Sequence, residues 1–422
     1  MSSGLPSLAR AAWLVDPPTQ RLLALLAENG EEARVIGGAV RNALIGEPVA
    51  DLDVATTVQP DEVVRRATSA GFRAIPTGIE HGTVTVVVDG RAFEVTTLRE
   101  DVATDGRRAR VAFGRDWSVD ARRRDFTMNA LSVSADGRLH DPVGGYPDCI
   151  ARRVRFIGDP ERRIAEDYLR ILRFFRFHAR YGSGAPDRAG LAAVERRRDG
   201  LRYLSAERIG QEMRKLVVAP GAAATVELMS EAGVLPIVLS GIACLPRFAR
   251  FSALSAGLGE RPAPALALAV LGTRVAEDGE RIAARLRLSN EERARVLAAG
   301  ALGACLGTDL PDERTVRRLI AQDGPVAFRD GLWFAVADSP TPVDRVRLGA
   351  LLRYSETWEP PSFPVSGRDL AARGIPPGPA MGRRLAALRA AWAASDFTLD
   401  RDALLALDPA DGDQAAAGGT AN

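Results

Sequence analysis

Lysine is almost missing from this chain. Of its 56 basic residues only Lys215 is not an arginine, and 54 acidic residues bring the net charge to +2. The total says little, so the distribution carries the information. Arginines bunch at 122–124, at Arg152, Arg153 and Arg155, at Arg162 and Arg163, and at 196–198. Planar, permanently charged guanidinium groups suit phosphate binding. Cysteine is scarce too: Cys149, Cys244 and Cys305 are far apart and odd in number, which excludes a disulfide framework and zinc-type spacing. His81, His140 and His178 are scattered and form no metal cluster by sequence. No apolar run reaches membrane-spanning length, and residues 1–18 lack a basic segment followed by a signal-like apolar run. The expectation is a cytoplasmic protein with no membrane association.

What is present divides into two textures. The first 150 residues alternate short β-rich runs with short helical ones. Ala33–Ile36 reads as a strand running into Gly37-Gly38, residues 39–45 as a helix stopped by Gly46, and 51–57 as a second strand. Residues 61–70 read as a helix ending at Gly71. Two β-rich runs, 83–88 and 91–98, are joined by Asp89-Gly90, a two-residue hairpin signal, and a further hairpin is expected at Asp136-Gly137. After about Arg155 the pattern changes to Ala, Leu, Arg and Glu at helical spacing, and the remainder reads as all-helical. Residues 410–422 (ADGDQAAAGGTAN with its first Ala at 410) are low in complexity and read as disordered.

The segment VIGGAVRNALIGEPVADLDVATT carries the first chemistry. In a strand, side chains at i and i+2 share a face, so Asp51 and Asp53 point one way and Leu52 and Val54 the other. Two adjacent carboxylates repel unless they share a divalent cation, and Mg²⁺ prefers oxygen ligands together with substrate phosphates. Gly37 and Gly38 let backbone N–H groups approach a triphosphate, and Arg41 can add a charged donor. Asp-x-Asp alone is better read as a solvent-facing strand with two acids after a βα turn; the Gly-Gly at its fixed distance upstream reverses that and points to function.

This segment resembles the nucleotidyltransferases that share a fold with DNA polymerase β, in the G-G-x-V-R…D-x-D form of the class II branch. That branch holds bacterial and eukaryotic CCA-adding enzymes and bacterial poly(A) polymerases. The resemblance implies that Asp51 and Asp53 are catalytic and hold two Mg²⁺ ions. It also marks a departure: Asn42 stands where the family usually has Asp, which bears on a local charge contact.

Three further segments extend the resemblance. Glu94, mid-strand in HGTVTVVVDGRAFEVTTLR, is either a third catalytic acid or an exposed strand glutamate. The string RRRDFTMNAL at 122–131 resembles the ribose-contacting motif of class II enzymes, implying that Arg124 and Asn129 bind the nucleotide and that Asp125 fixes Arg124. In IAEDYLRILRFFRFHAR, a continuous helix over 164–179 would carry Ile164, Tyr168, Ile171, Leu172, Phe175 and Ala179 on one face. Asp167, Arg170, Arg173 and Arg176 would fall opposite, with Phe174 and Phe177 among them. A carboxylate accepting from an exocyclic amine, beside a guanidinium donating to a ring nitrogen, would accept cytosine and adenine and reject uracil and guanine. The plain alternative for Asp167 and Arg170 is an i,i+3 surface salt bridge. The segment resembles the family's base-reading motif, which implies the first role, and Arg173 and Arg176 match its positions for nucleotide contact or support of that pair. Residues 140–163 resemble its flexible joint.

LSAERIGQEMRKLVVAP resembles the neck of these enzymes, and FPVSGRDLAARGIPPGPAMGRRLAAL their tail. In the latter, Gly374, Gly378 and Gly382 are either phosphate-approaching turns and helix starts or ordinary loop punctuation.

The expected fold is α+β: a polymerase-β-like head of small mixed sheet plus helices over 1–150, then an all-α neck (151–220), body (221–345) and tail (346–409). The expected activity is template-independent addition and repair of the 3′-terminal CCA of tRNA from CTP and ATP. Its partner is the tRNA acceptor arm, with no obligate protein partner. Alternatives are a poly(A) polymerase, a partial CC- or A-adding enzyme and, more distantly, a non-catalytic RNA-binding protein.

Overall fold

The computed structural model describes residues 4–105, 108–307 and 309–407, so the expected disordered stretch 410–422 lies outside the described residues. Packing divides the chain into two compact units. One runs from the N-terminus to Ala243 and takes in Arg285–Arg287; the other comprises Cys244–Ala284 and the chain from Leu288 onward.

The first unit is built on nine strands: β1 (Ala33–Ile36), β2 (Asp53–Thr56), β3 (Arg73–Gly78), β4 (Thr83–Val88), β5 (Arg91–Thr97), β6 (Arg99–Asp105), β7 (Arg108–Phe113), β8 (Ser132–Ser134) and β9 (Leu139–His140). Seven form one mixed sheet in the order β3-β4-β5-β2-β1-β8-β9, and β6 and β7 form a separate ribbon. Only β2 and β5 run parallel; every other pair in the sheet is antiparallel. Alternation places the core. In TVTVVV of β4 each second residue is buried, and Val84, Val86 and Val88 are fully covered. The β4–β5 hairpin turns at Asp89 (φ +50°) and Gly90 (φ +81°), the left-handed pair that a two-residue loop between right-twisted strands requires. Val35, Val54, Phe93 and Val133 continue the core across the sheet's centre.

Beyond the sheet the first unit is helical, as the change of texture predicts. One expectation fails there: residues 164–179 are not a single helix. Helix Pro160–Glu166 stops, Asp167 takes an extended backbone (φ −157°, ψ 108°), and a second helix runs over Leu169–Tyr181. The new helix begins with Asp167 Oδ1 accepting from the Leu169 N–H at 3.1 Å, a local bond that competes with continuing the first helix. Phe174 and Phe177 are buried: Phe174 stacks on Phe156 at 5.5 Å, and Phe177 lies 5.1 Å from Phe126.

Among the described residues the second unit is all-helical. The apolar helix Pro264–Gly272 and helix Pro325–Asp338, which carries Phe328, Leu332 and Trp333, supply much of its buried surface. Toward its end Val365, Leu370, Leu388, Trp392, Leu404 and Leu405 make a separate cluster. Gly374 and Gly378 sit in turns with positive φ, whereas Gly382 lies within helix Pro379–Ala394. Among the described residues no helix is long and apolar enough to cross a membrane.

Candidate active site

Strand pairing brings the carboxylates together. Asp53 opens β2, and the parallel register with β5 sets Glu94 directly opposite it. Asp51 lies two residues earlier, on the segment entering the strand, with Leu52 buried between the two acids. Asp53 is open on the cavity side, yet the surrounding protein raises its carboxyl above the usual range. Glu94 and then Asp51 push it further, and Arg124 opposes them. Among the described residues no salt bridge engages Asp51, Asp53 or Glu94. Such a set fits a hard cation that relieves the repulsion. No three potential ligands converge tightly enough to cage an ion unaided among those residues, but Mg²⁺ retains waters and takes substrate oxygens.

The glycine pair works differently at its two positions. Gly37 adopts φ +64°, ψ −117°, a conformation that favours glycine, and its N–H donates to the Leu131 carbonyl at 3.1 Å. The Gly37 N–H is thereby taken, whereas Gly38, at the first helical position, has an N–H that the helix's own bonding does not use. Arg41, in the helix Gly38–Leu44, is buried. It donates to Asn129 Oδ1 at 2.6 Å, Tyr181 Oη at 2.8 Å and Asn42 Oδ1 at 2.9 Å, and lies 3.8 Å from the centre of the Tyr181 ring. Asn42, where the family usually has Asp, accepts from Arg41 as a neutral side chain. Burial lowers the Arg41 guanidinium, and no carboxylate pairs with it among the described residues. A buried cation without a counter-charge on the wall of an open cavity is a site for an anion.

The string 122–131 folds as a short helix, Trp117–Arg123, followed by a tight turn over Thr127–Asn129. Asp125 does not hold Arg124, contrary to expectation. Arg124 pairs with Asp120 at 2.9 Å, one helical turn back, while Asp125 turns inward to Arg173 at 2.6 Å and accepts from Asn129 Nδ2 at 3.1 Å. Asn129 therefore links Asp125 to Arg41.

The i,i+3 salt bridge that was the plain alternative for Asp167 and Arg170 is not formed, because the helix is interrupted at Asp167. Asp167 Oδ2 is held by Arg208 at 2.7 Å, and Arg170 donates to Glu166 Oε2 and to the Arg163 carbonyl, both at 2.6 Å. Arg173 reaches Asp125 and, at 3.8 Å, Glu212; Arg176 is bonded to Glu212 and lies over the Phe177 ring. Even so, Gly37, Gly38, Arg41, Asp53, Arg124, Asn129, Asp167, Arg170 and Arg173 all line one open cavity of about 500 Å³ within the first unit. Asp51, Glu94 and Arg176 do not line it; Arg176 supports its wall through Glu212.

Arg208, Glu212, Tyr181 and Asp120 were not singled out from the sequence. Arg208 and Glu212 are four apart on helix Ala206–Leu216, so they share a face. A signal was present in the charged ERIGQE run, but which face met the cavity depends on how this helix packs on Leu169–Tyr181. The second unit holds a larger cavity of about 770 Å³ beside Phe334 and Leu297, without comparable convergent chemistry.

Comparison with known proteins bears on this arrangement. Residues 33–155 match the family model of the poly A polymerase head domain, and residues 187–245 that described as a probable RNA and SrmB-binding site of polymerase A. The chain is 36% identical over 397 residues to CCA tRNA nucleotidyltransferase 1, mitochondrial, of Mus musculus, covering 91% of this chain and 88% of that protein. It is 40% identical to the CCA-adding enzyme of Geobacillus stearothermophilus over 54% of this chain and 56% of that one. The crystal structure of the Bacillus stearothermophilus CCA-adding enzyme in complex with CTP superposes with a TM-score of 0.70 at 28% identity, covering 90% of this chain and 93% of that one. The fold is that of these enzymes, with a polymerase-β-like head. Since the similarity to the mouse protein runs through the helical portion as well as the sheet, the chain belongs to the CCA-adding tRNA nucleotidyltransferase family.

Proposed function

We infer that this protein is a tRNA nucleotidyltransferase that adds and repairs the 3′-terminal CCA, using CTP and ATP and releasing pyrophosphate. The observation that carries the reading is the convergence, in one cavity, of an acid from the sheet, a buried uncompensated arginine, and an Asp and Arg suited to a nucleobase edge. Asp51 and Asp53, with Glu94 opposite, would hold Mg²⁺. The bound metal would supply activation of the primer hydroxyl and charge neutralisation at the triphosphate and leaving pyrophosphate.

The chain's own groups do the rest. Arg41, lacking a carboxylate partner, and Arg124, tied to Asp120, supply positive charge for the phosphates. Asn129, held from both sides, presents a fixed polar edge to the ribose. Asp167 accepts from the amine of cytosine or adenine, and Arg170 donates to the neighbouring ring nitrogen. To do so Arg170 must exchange part of its bonding to Glu166 for the base. Uracil and guanine set a carbonyl against the carboxylate and an N–H against the guanidinium, leaving desolvated polar groups unpaired. Arg173 and Arg176 brace this wall through Asp125 and Glu212. The finer division into head, neck, body and tail at about 150, 220 and 345 assigns nucleotide reading to the first two segments and grip on the tRNA acceptor arm to the others. A cytoplasmic location fits three cysteines that are all free thiols.

The test uses tRNA transcripts ending before CCA, after C and after CC, with Mg²⁺ and each nucleotide singly and together. Completion of CCA that stops after A, and is lost in Asp51→Ala, is the expected result. Long ATP-only tails on unrelated RNA would reassign the protein as a poly(A) polymerase, partial addition as a split-activity enzyme, and no incorporation would leave only RNA binding.

A further inference from the structure

Asp167 stands on the cavity wall at a break between two helices, with both carboxylate oxygens engaged. Its extended conformation, between two helices, removes it from the helical ladder that would otherwise fix its direction. A carboxylate there has two cationic neighbours in sequence, Arg170 and Arg173, yet bonds to neither: Arg170 is taken by Glu166 and Arg173 by Asp125. Its tether comes from a helix 41 residues further along, where Arg208 Nη2 donates to Oδ2 at 2.7 Å. Oδ1 meanwhile accepts from the Leu169 N–H. Each oxygen thus has one anchor, and an ionised carboxylate retains further lone pairs as acceptors only. Both Asp167 and Arg208 line the cavity, with side chains about a quarter exposed (24% and 27%), so the tethered carboxylate is reachable by a base.

We propose that Arg208 is a specificity-determining positioning residue: by holding Oδ2 it fixes the acceptor edge that Asp167 offers to the nucleobase. The proposal rests on the base-reading role of Asp167 given above. Discrimination between an amine and a carbonyl requires an acceptor that stays in place when the wrong base arrives. An untethered carboxylate at a helix break can rotate away, turning an unpaired, costly contact into a solvated one. Mismatch then costs less, and selectivity falls more than turnover does.

The experiment measures kcat/KM for CTP and UTP, separately, on tRNA lacking CCA, with the full chain and its Arg208→Ala, Arg208→Lys and Asp167→Asn variants, alongside each variant's melting temperature. Arg208→Ala is expected to lower the CTP-over-UTP preference by about tenfold, the scale of one lost polar contact. The change should sit mainly in a higher kcat/KM for UTP, with that for CTP falling less, and Arg208→Lys, which keeps a donor, should restore part of the preference. An unchanged ratio in Arg208→Ala, with CTP and UTP falling in parallel, would overturn the proposal and leave Arg208 a structural residue. Asp167→Asn separates the two levels. A relaxed ratio there with none in Arg208→Ala sinks only the tether, whereas an unchanged ratio in Asp167→Asn sinks base reading itself.

Discussion

Asp125 and Asp53 are both acids of the first unit, and their surroundings drive them in opposite directions. Burial alone would raise the Asp125 carboxyl, but the Arg173 charge, the Asn129 amide and the Phe126 N–H outweigh it and hold it below the usual carboxylate range. Its pairing therefore contributes stability above the unfolded value of about 3.9, and that contribution is lost as pH falls through the lower folded value. Asp125→Asn should cost about 2–3 kcal/mol near neutrality, toward the low end for a buried pair because Arg173 is a third exposed. Urea unfolding at about pH 7 and about pH 3 checks this: the gap between the two proteins should narrow only at the acid end. Asp53 has the reverse sign, since its ionised form is disfavoured in the folded chain. Asp53→Asn should melt at the same or a higher temperature without metal, while nucleotide incorporation falls by about a thousandfold or more. Chelation of Mg²⁺ should abolish incorporation by the unaltered protein, and excess Mg²⁺ should restore it.

At the scale of elements, the decisive feature is the break at Asp167. Glycine makes room for it: a Cβ on Gly200 would stand 2.0 Å from the Tyr168 ring, the residue that follows the break. Gly200→Ala must push that ring aside. A destabilisation of about 1–3 kcal/mol is expected, the range for forced overpacking. Because Tyr168 adjoins Asp167, KM for CTP should rise in the folded fraction; calorimetry and single-nucleotide kinetics together check both. Helix Ala206–Leu216 is the other element that matters, since it delivers Arg208 to Asp167 and Glu212 to Arg173 and Arg176. The amphipathic pattern of 164–179 shows a helix but not its interruption. One side chain bonding to the Leu169 N–H, with Arg208 arriving from elsewhere, decides against continuity, and neither is visible in periodicity.

For the whole molecule, a net charge of +2 gives little long-range attraction to a polyanion, so the proposed tRNA binding would draw on local arginine clusters. Binding should weaken steeply between about 50 and about 200 mM salt, as phosphate contacts release counterions, and filter binding against salt concentration checks it. A flat dependence would mean that shape and 2′-hydroxyl contacts dominate. Asp51, Asp53, Arg124, Asn129 and Asp167 stood out through the motifs they share with the family, whereas the short strands of the first 150 residues, the change to helices near residue 155 and the turn at Asp89-Gly90 followed from the sequence by itself. Those are consequences of short-range chemistry: alternation, helical period and turn conformation act between near neighbours. Tertiary structure alone decided which charges meet. Glu94 faces Asp53 because β5 lies parallel beside β2, and Asp125 meets Arg173, 48 residues further along, because its turn packs against helix Leu169–Tyr181; Arg124 and Asp120, four apart, are the exception, a pair one helical turn brings together. Asp167 goes to Arg208 because a buried or half-buried charge takes the partner that packing brings within reach, not the one nearest in sequence.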